Sequence, residues 1–441
     1  MSTTSDRGAV VLLGTLIALT VIGSSAVAVA IPVVRADLGL SVSDAAWIFS
    51  VFSLCFAVAT ATFGRIADLV GLRTPLVVGV CLMAAGSVLV GVAPSLPVLL
   101  AGRVVQGVGA GAVPVLVNGI VAARWQGATR TAMFGSLLAV VATVSGSGPV
   151  IGGGIEAALG WRWVFALPAV SVALIAPIAR LAPSDRGSGH FDVAGAVATS
   201  AMIAGLLAVL QAPTAGAVVG AVGVALLAVG VPAVILIASR RPDGFLPREV
   251  IANGRIMRAA VATLALLATY FAMLLAVPEL LAAERGWSPL QIGLALLPAA
   301  AAGAVASQIT GRVAPTVGRG RTASSVALVA LAGVAVASAS PTSVVALVVG
   351  MSGASIGFAA SQAALVDEVV DVAPARVQGA ALGVFNMVTF VGGSMGPAVI
   401  GGLSGVVGLP VAVAATTLGP LGALALLGLP RLRQVSEALS D

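Results

Sequence analysis

Lysine is missing from all 441 residues; every one of the 22 basic side chains is an arginine. That excludes a P-loop ATPase, whose lysine reaches the nucleotide phosphates, and any enzyme acting through a lysine Schiff base. A single histidine, His190, rules out an HExxH zinc site, and no cofactor is expected. The two cysteines, Cys55 and Cys81, lie inside apolar runs and read as ordinary buried thiols. Charge is scarce, at 9% of residues against roughly 25% in soluble chains, whereas apolar types reach 59%. Aromatics supply only 4%, so the apolar bulk is Ala, Val, Leu and Gly, which let helices approach closely in lipid. The composition is that of an all-α integral membrane protein with the bilayer as its solvent. The net charge of +6 does not point to nucleic acid, because its distribution has a topological cause.

Crossing about 30 Å of hydrocarbon takes about 20 apolar residues. Fourteen such runs separate at charged or turn-rich breaks, each bounded to within about 2–4 residues. Spans one to eight fall at about 9–32, 44–63, 75–93, 97–121, 132–156, 163–181, 192–211 and 216–238. Spans nine to fourteen fall at about 258–281, 290–311, 322–340, 343–364, 377–403 and 408–429. The first is too long, and too closely followed by another, to be a cleaved leader. Ala212-Pro213-Thr214-Ala215 reads as a tight turn between spans seven and eight. With both termini in the cytoplasm, eighteen arginines fall inside and three, Arg35, Arg162 and Arg285, outside. Arg103 alone remains within a span. Trp47, Trp161, Trp163 and Trp287 mark outer ends and Trp125 an inner one.

The chain also repeats itself. Gly64-Arg65-Ile66-Ala67-Asp68-Leu69-Val70-Gly71 after span two matches Gly311-Arg312-Val313-Ala314-Pro315-Thr316-Val317-Gly318 after span ten at five of eight positions, an offset of 247. Gly148-Pro149 with Gly152-Gly153 in span five returns as Gly396-Pro397 with Gly401-Gly402 in span thirteen, and the Gly-Pro pair is displaced by 248. Eight spans separate the matched features, about 31 residues each. Two six-helix repeats, 1–190 and 246–441, are therefore expected around two inserted helices, 191–245. Transporters are commonly built from such repeats, with cargo held between them near mid-membrane.

Three segments carry chemistry. In the loop 64–73, Gly64 and Gly71 permit tight helix ends, while Asp68 can pair with Arg65 or Arg73 and favours a helix N-terminus, a charge cluster able to latch helices in one state. In span four, Arg103 stands one helical turn before Gln106 and Gly107. A charge in hydrocarbon costs about 2.5–3.5 kcal/mol on insertion scales, so it faces a polar interior with a role, or snorkels to the nearby outer interface. In span five, proline removes a helical hydrogen bond and the glycines remove bulk, leaving a helix that bends and packs closely on a moving neighbour.

Gly64–Arg73 resembles the signature loop, motif A, of the major facilitator superfamily. Arg103-Val104-Val105-Gln106-Gly107 resembles its motif B, and Ser145–Gly154 followed by Gly160-Trp161-Arg162 its exporter motif C. With fourteen spans, the chain resembles the drug:proton antiporter group that includes tetracycline, antiseptic and self-resistance exporters. Ala30-Ile31-Pro32, Trp47 and Ser288–Gly293 fit that pattern too. The resemblance implies the major facilitator fold in a bacterial inner membrane, a monomer exporting an amphipathic small molecule, and protons as the driving partner.

One departure bears on coupling. Many members carry an acid in span one nine residues before the proline and an Asn four before it; here these are Gly23 and Ala28. Glu279, one turn inside the outer end of span nine, is the best remaining proton site; otherwise it is an interfacial carboxylate near Arg285. Asn386, Gln362, Gln308 and Met387 are expected to line a mostly apolar cargo cavity. Asp367, Glu368 and Asp371 form a solvated loop rather than a metal site. An uncoupled facilitator or metabolite exporter stays open, as does a lipid-acting membrane enzyme, for which no further carboxylate or histidine cluster stands out.

Overall fold

The computed structural model describes residues 3–183, 192–241, 244–374 and 377–438. Helices account for nearly all of them, and no strand occurs among the described residues. Thirteen stretches are long and apolar enough to span a bilayer. The fifth expected span lies in the helix Gly127–Leu159, whose 33 residues rise about 50 Å, ample for the ~30 Å core.

Spans two to five are the helices Val42–Val70, Arg73–Gly91, Leu96–Arg124 and Gly127–Leu159. Spans seven to thirteen are Val193–Ala215, Ala217–Arg240, Gly254–Arg285, Pro289–Val317, Arg319–Ala339, Val344–Val372 and Gln378–Val407. Three spans depart from the single helices expected. Span one breaks between Thr3–Ser25 and Val27–Leu38. Span six is α-helix, 3-10 turns and α-helix over Trp161–Leu181, with Pro168 opening the 3-10 stretch. Span fourteen breaks between Leu409–Ala415 and Leu418–Ala438. The turn between spans seven and eight is also displaced: span seven runs through Pro213 to Ala215, and the chain reverses at Gly216, φ 98°. Glycine adopts that conformation without a Cβ penalty, whereas Pro213 has a fixed negative φ and Thr214 or Ala215 would be strained.

The duplication is written into the backbone. Gly39 and Gly286, offset by 247, end helices in the left-handed conformation at φ 64° and 63°. Ser41 and Ser288 follow at the same offset, each closing a capping box, with Asp44 and Gln291 respectively. Gly71 and Gly318 repeat the positive φ after spans two and ten; Gly160 and Gly408, offset by 248, repeat it after spans five and thirteen. Gly216, the remaining positive-φ glycine among the described residues, belongs to the inserted hairpin and has no counterpart. Packing obeys the same symmetry. Span two rests on spans four and thirteen, span ten on spans twelve and five.

The inserted helices play unequal parts. Span seven bridges the repeats, touching spans two and thirteen, while span eight packs chiefly on span seven and turns Val218, Val229 and Ile235 outward to lipid. Their ends near the loops are clasped by Asp192, whose carboxylate accepts from the Gly195 and Phe245 N–H groups, both at 3.1 Å, and from Arg241 at 2.6 Å. Burial opposes its charge, but these donors together outweigh that and hold its pKa below the usual carboxylate range. Asp192→Ala should therefore destabilise the protein by about 1.5–3 kcal/mol at neutral pH, read as a lower midpoint in thermal unfolding. A depressed folded-state pKa gives stability that is present above the unfolded value, about 3.9, and lost as pH falls further. The gap between variant and wild type should close in acid.

The large cores show how the two repeats meet. One joins both repeats at the end away from the termini: Ile31, Val34 and Phe49 pack with Leu275, Val277, Ile292 and Ile400. At the other end the cores stay separate, Leu13, Leu76, Leu116 and Ile178 in the first repeat, Val250, Ile256, Leu365 and Phe385 in the second. Two smaller clusters cross the seam with span seven, one at mid-helix through Ala57, Ile203 and Val391, the other nearer the termini through Ala196, Phe245 and Met387.

Candidate functional site

Arg103 is fully buried. Its Nε donates to the Ile48 carbonyl of span two at 3.0 Å, and Nη1 to the Gly23 carbonyl of span one at 3.2 Å and to Gln106 Oε1 at 2.7 Å. The Gly23 carbonyl belongs to the last turn of Thr3–Ser25, the negative end of a helix dipole. Gln106 Nε2 passes the network on to Ser87 Oγ of span three at 2.8 Å and the Phe165 carbonyl of span six at 3.2 Å. The guanidinium lies 4.0 Å from the Phe52 ring centre and 5.4 Å from that of Phe165. No carboxylate among the described residues is within ion-pair distance; carbonyls and ring faces carry the charge instead. Nη2 finds no acceptor among the described residues. Arg103 thus faces the polar interior of its own repeat and does not snorkel. A Cβ at Gly107 would sit 2.7 Å from the Phe52 carbonyl oxygen, so glycine there lets spans four and two touch backbone to backbone.

The motif A loop ends span two at Gly71, φ 82°. The N–H groups of Leu72 and Arg73 donate to the Pro183 carbonyl beyond span six, at 3.2 and 3.3 Å. Arg65 and Arg73 are exposed and Gly64 packs toward Val115, whereas the Asp68 side chain lies outside the described residues.

The Gly-Pro stretch of span five sits at a crossing of three helices. A Cβ on Gly148 or Gly152 would strike Ser25 and Ala26 at the break in span one; one on Gly153 would lie 2.6 Å from the Leu290 backbone of span ten. Reciprocally, a Cβ on Gly293 would be 2.5 Å from the Pro149 oxygen. Span five therefore packs backbone to backbone on its own repeat and on the other. In span thirteen, Gly396 meets Ala268 and Gly401 meets Ala46 in the same sense.

Glu279 is 2% exposed and pairs with Arg35, not Arg285, which donates to the Thr342 carbonyl. The pair joins the repeats at the closed end. The Glu279 Oε1 is buried without a partner among the described residues. Two residues after Arg35, Asp37 accepts from Trp161 Nε1 at 2.9 Å and Arg162 at 3.1 Å, which hold it below the usual carboxylate range. Val27–Leu38 is thus a strut fixed to its own repeat by Asp37 and to the other by Arg35. Sequence reasoning missed Arg35 by pairing Glu279 with a near neighbour. The repeat register held the signal: Gly39 answers Gly286, so Arg35 answers Ala282, one turn from Glu279.

Asn386 and Gln362 are half-buried and Gln308 is exposed. Met387 packs against Ala196 and Phe245. Glu368 and Asp371 pair with Arg255 and Arg319 at the end of span twelve; no metal-ligating cluster occurs among the described residues.

Two pseudo-symmetric six-helix repeats packed around a central seam have the layout of a membrane transporter fold. The chain belongs to the Major Facilitator Superfamily, whose description matches residues 13–397. It is 28% identical over 404 residues to the tetracenomycin C resistance and export protein of Streptomyces glaucescens, spanning 87% of this chain and 73% of that one. It is 27% identical over 297 residues to the multidrug resistance protein Stp of Mycobacterium tuberculosis, 66% of this chain and 55% of that one. Among solved structures, a bacterial homologue of the human lysosomal transporter Spinster, inward-facing and unoccupied, superposes with TM-score 0.70 at 15% identity over 97% of both chains. The chain is a multi-pass membrane transporter with drug and antibiotic export relatives.

Proposed function

We propose that this chain is a secondary active exporter of an amphipathic small molecule, driven by proton antiport and working as a monomer in a bacterial inner membrane. Both termini are cytoplasmic, and the working units are 1–190 and 246–441, joined by the hairpin 191–245. The observation that carries the reading is the asymmetry of the cores: shared between repeats at one end, separate at the other. With the arginine bias, the separate end faces the cytoplasm, which makes this the cargo-loading state. The names of the relatives support export.

Arg103 and Gln106 stiffen the first repeat at the head of the pathway, and the Gly64–Arg73 loop gates its cytoplasmic mouth. Gly148, Pro149, Gly152 and Gly153 form the surface on which the repeats rock. One inward proton per neutral cargo supplies about 2.3 kcal/mol per 100 mV, roughly fifty-fold accumulation. Efflux from energised vesicles should collapse when a protonophore is added; unaffected efflux refutes antiport. The uncoupled facilitator is the second reading, favoured by Gly23 standing beside Arg103 where many members carry an acid.

A further inference from the structure

We propose that the cargo is uncharged, flat and aromatic, with hydroxyl or carbonyl groups along one edge, and that it binds a mid-membrane layer of rings above a layer of amides. This rests on the exporter reading and narrows it to a class of compound. In a chain with 4% aromatics, two ring pairs drawn from four helices lie at one depth. Phe56 of span two contacts Phe390 of span thirteen edge to face, centroids 5.0 Å apart, across the seam between repeats. Tyr270 of span nine lies against Phe358 of span twelve at 5.7 Å, tilted 31°. Phe56 and Phe358 are the midpoints of Val42–Val70 and Val344–Val372, and Tyr270 and Phe390 lie within three residues of theirs. All four rings are only half-buried.

The polar layer follows from helical spacing. Gln362 comes four residues after Phe358 and Asn386 four before Phe390, so each amide shares a face with its ring. Spans twelve and thirteen run in opposite directions, so both amides fall about 6 Å toward the cytoplasmic end. The Gln362 Oε1 is buried and has no hydrogen-bond donor among the described residues, an acceptor suited to a hydroxyl. Neither Asp, Glu nor Arg occurs within eight residues of any of the four rings along its helix, and Arg103, stacked on the Phe52 ring beside Phe56, is already held by carbonyls and the Gln106 amide and repels a cation, so these stretches favour a cargo without charge. Rings accept a flat π-surface by offset stacking, and amides one turn below read its polar edge.

The full chain in proteoliposomes tests this with three probes: quinizarin, a neutral dihydroxyanthraquinone; progesterone, neutral but not aromatic; and the cation tetraphenylphosphonium. Quinizarin should bind and be exported in preference to the other two by at least about tenfold. Tyr270→Leu and Phe390→Leu should each weaken its binding about tenfold, and Tyr270→Phe should keep it. Gln362→Leu should weaken quinizarin but not unsubstituted anthraquinone. Export of progesterone or tetraphenylphosphonium without quinizarin overturns the cargo class and leaves the exporter reading intact. Quinizarin binding without export of any probe overturns the exporter and keeps the site. Absence of quinizarin binding, or equal loss in Tyr270→Phe and Tyr270→Leu, overturns the site.

Discussion

Arg103→Leu should abolish export, by about a hundredfold or more, while the protein still reaches the membrane. The side chain is fully buried and serves acceptors on three helices, with Gln106 extending the network to two more. Removing it orphans Gln106 Oε1 and strips a donor from two carbonyls, at about 1–3 kcal/mol for each group left unsatisfied. Losing about 3 kcal/mol from the arrangement that spans one to four and six share is a factor of about a hundred. Arg103→Lys should rescue little, because an ammonium on a flexible stem does not reproduce a planar fork reaching Ile48, Gly23 and Gln106 together. Vesicle efflux, normalised to protein recovered in membranes, reads the result; wild-type rates in Arg103→Leu would end the assignment.

Glu279→Gln should open the end away from the termini. The Arg35–Glu279 pair crosses between repeats, and its carboxylate is 2% exposed. Breaking a buried pair from one side costs about 3–5 kcal/mol when a bare charge is left behind, and less when the charge itself is removed. Because the partners lie on different repeats, that energy bears on the equilibrium between closed and open states. Arg35→Ala, which leaves Glu279 unpaired, should shift it the most, by at least about a hundredfold, and Glu279→Gln by about tenfold. Spin-label distances across that end measure the populations directly. Exchanging the charges, Arg35→Glu with Glu279→Arg, should recover the closed state; failure of both the shift and the recovery removes the latch.

Much of this architecture was legible in the sequence because the bilayer sorts a chain in one dimension. Apolar runs marked where the helices lie, and the 247-residue offset announced a duplication that Gly39 and Gly286, Ser41 and Ser288, and Gly71 and Gly318 then repeat in backbone conformation. Where local chemistry had rivals, the sequence misled. Ala212–Ala215 read as a turn, but Gly216 can reverse the chain with less strain, so Pro213 stays inside the helix. Span one read as one helix, yet it breaks at Ala26, the place where Gly148 and Gly152 of span five press in.

The sequence by itself determined the membrane class, the repeat, the family and the one arginine that had to find acceptors in hydrocarbon. Those follow from composition and spacing, which act within a single helix. Only the tertiary structure decided who those acceptors are, and that Glu279 meets Arg35 across 244 residues of chain rather than Arg285 six away. It also decided that scarce rings pair at one depth, Phe56 with Phe390 and Tyr270 with Phe358. Such pairings arise when two repeats turn about a common axis, and nothing in the spacing along one helix carries that rotation.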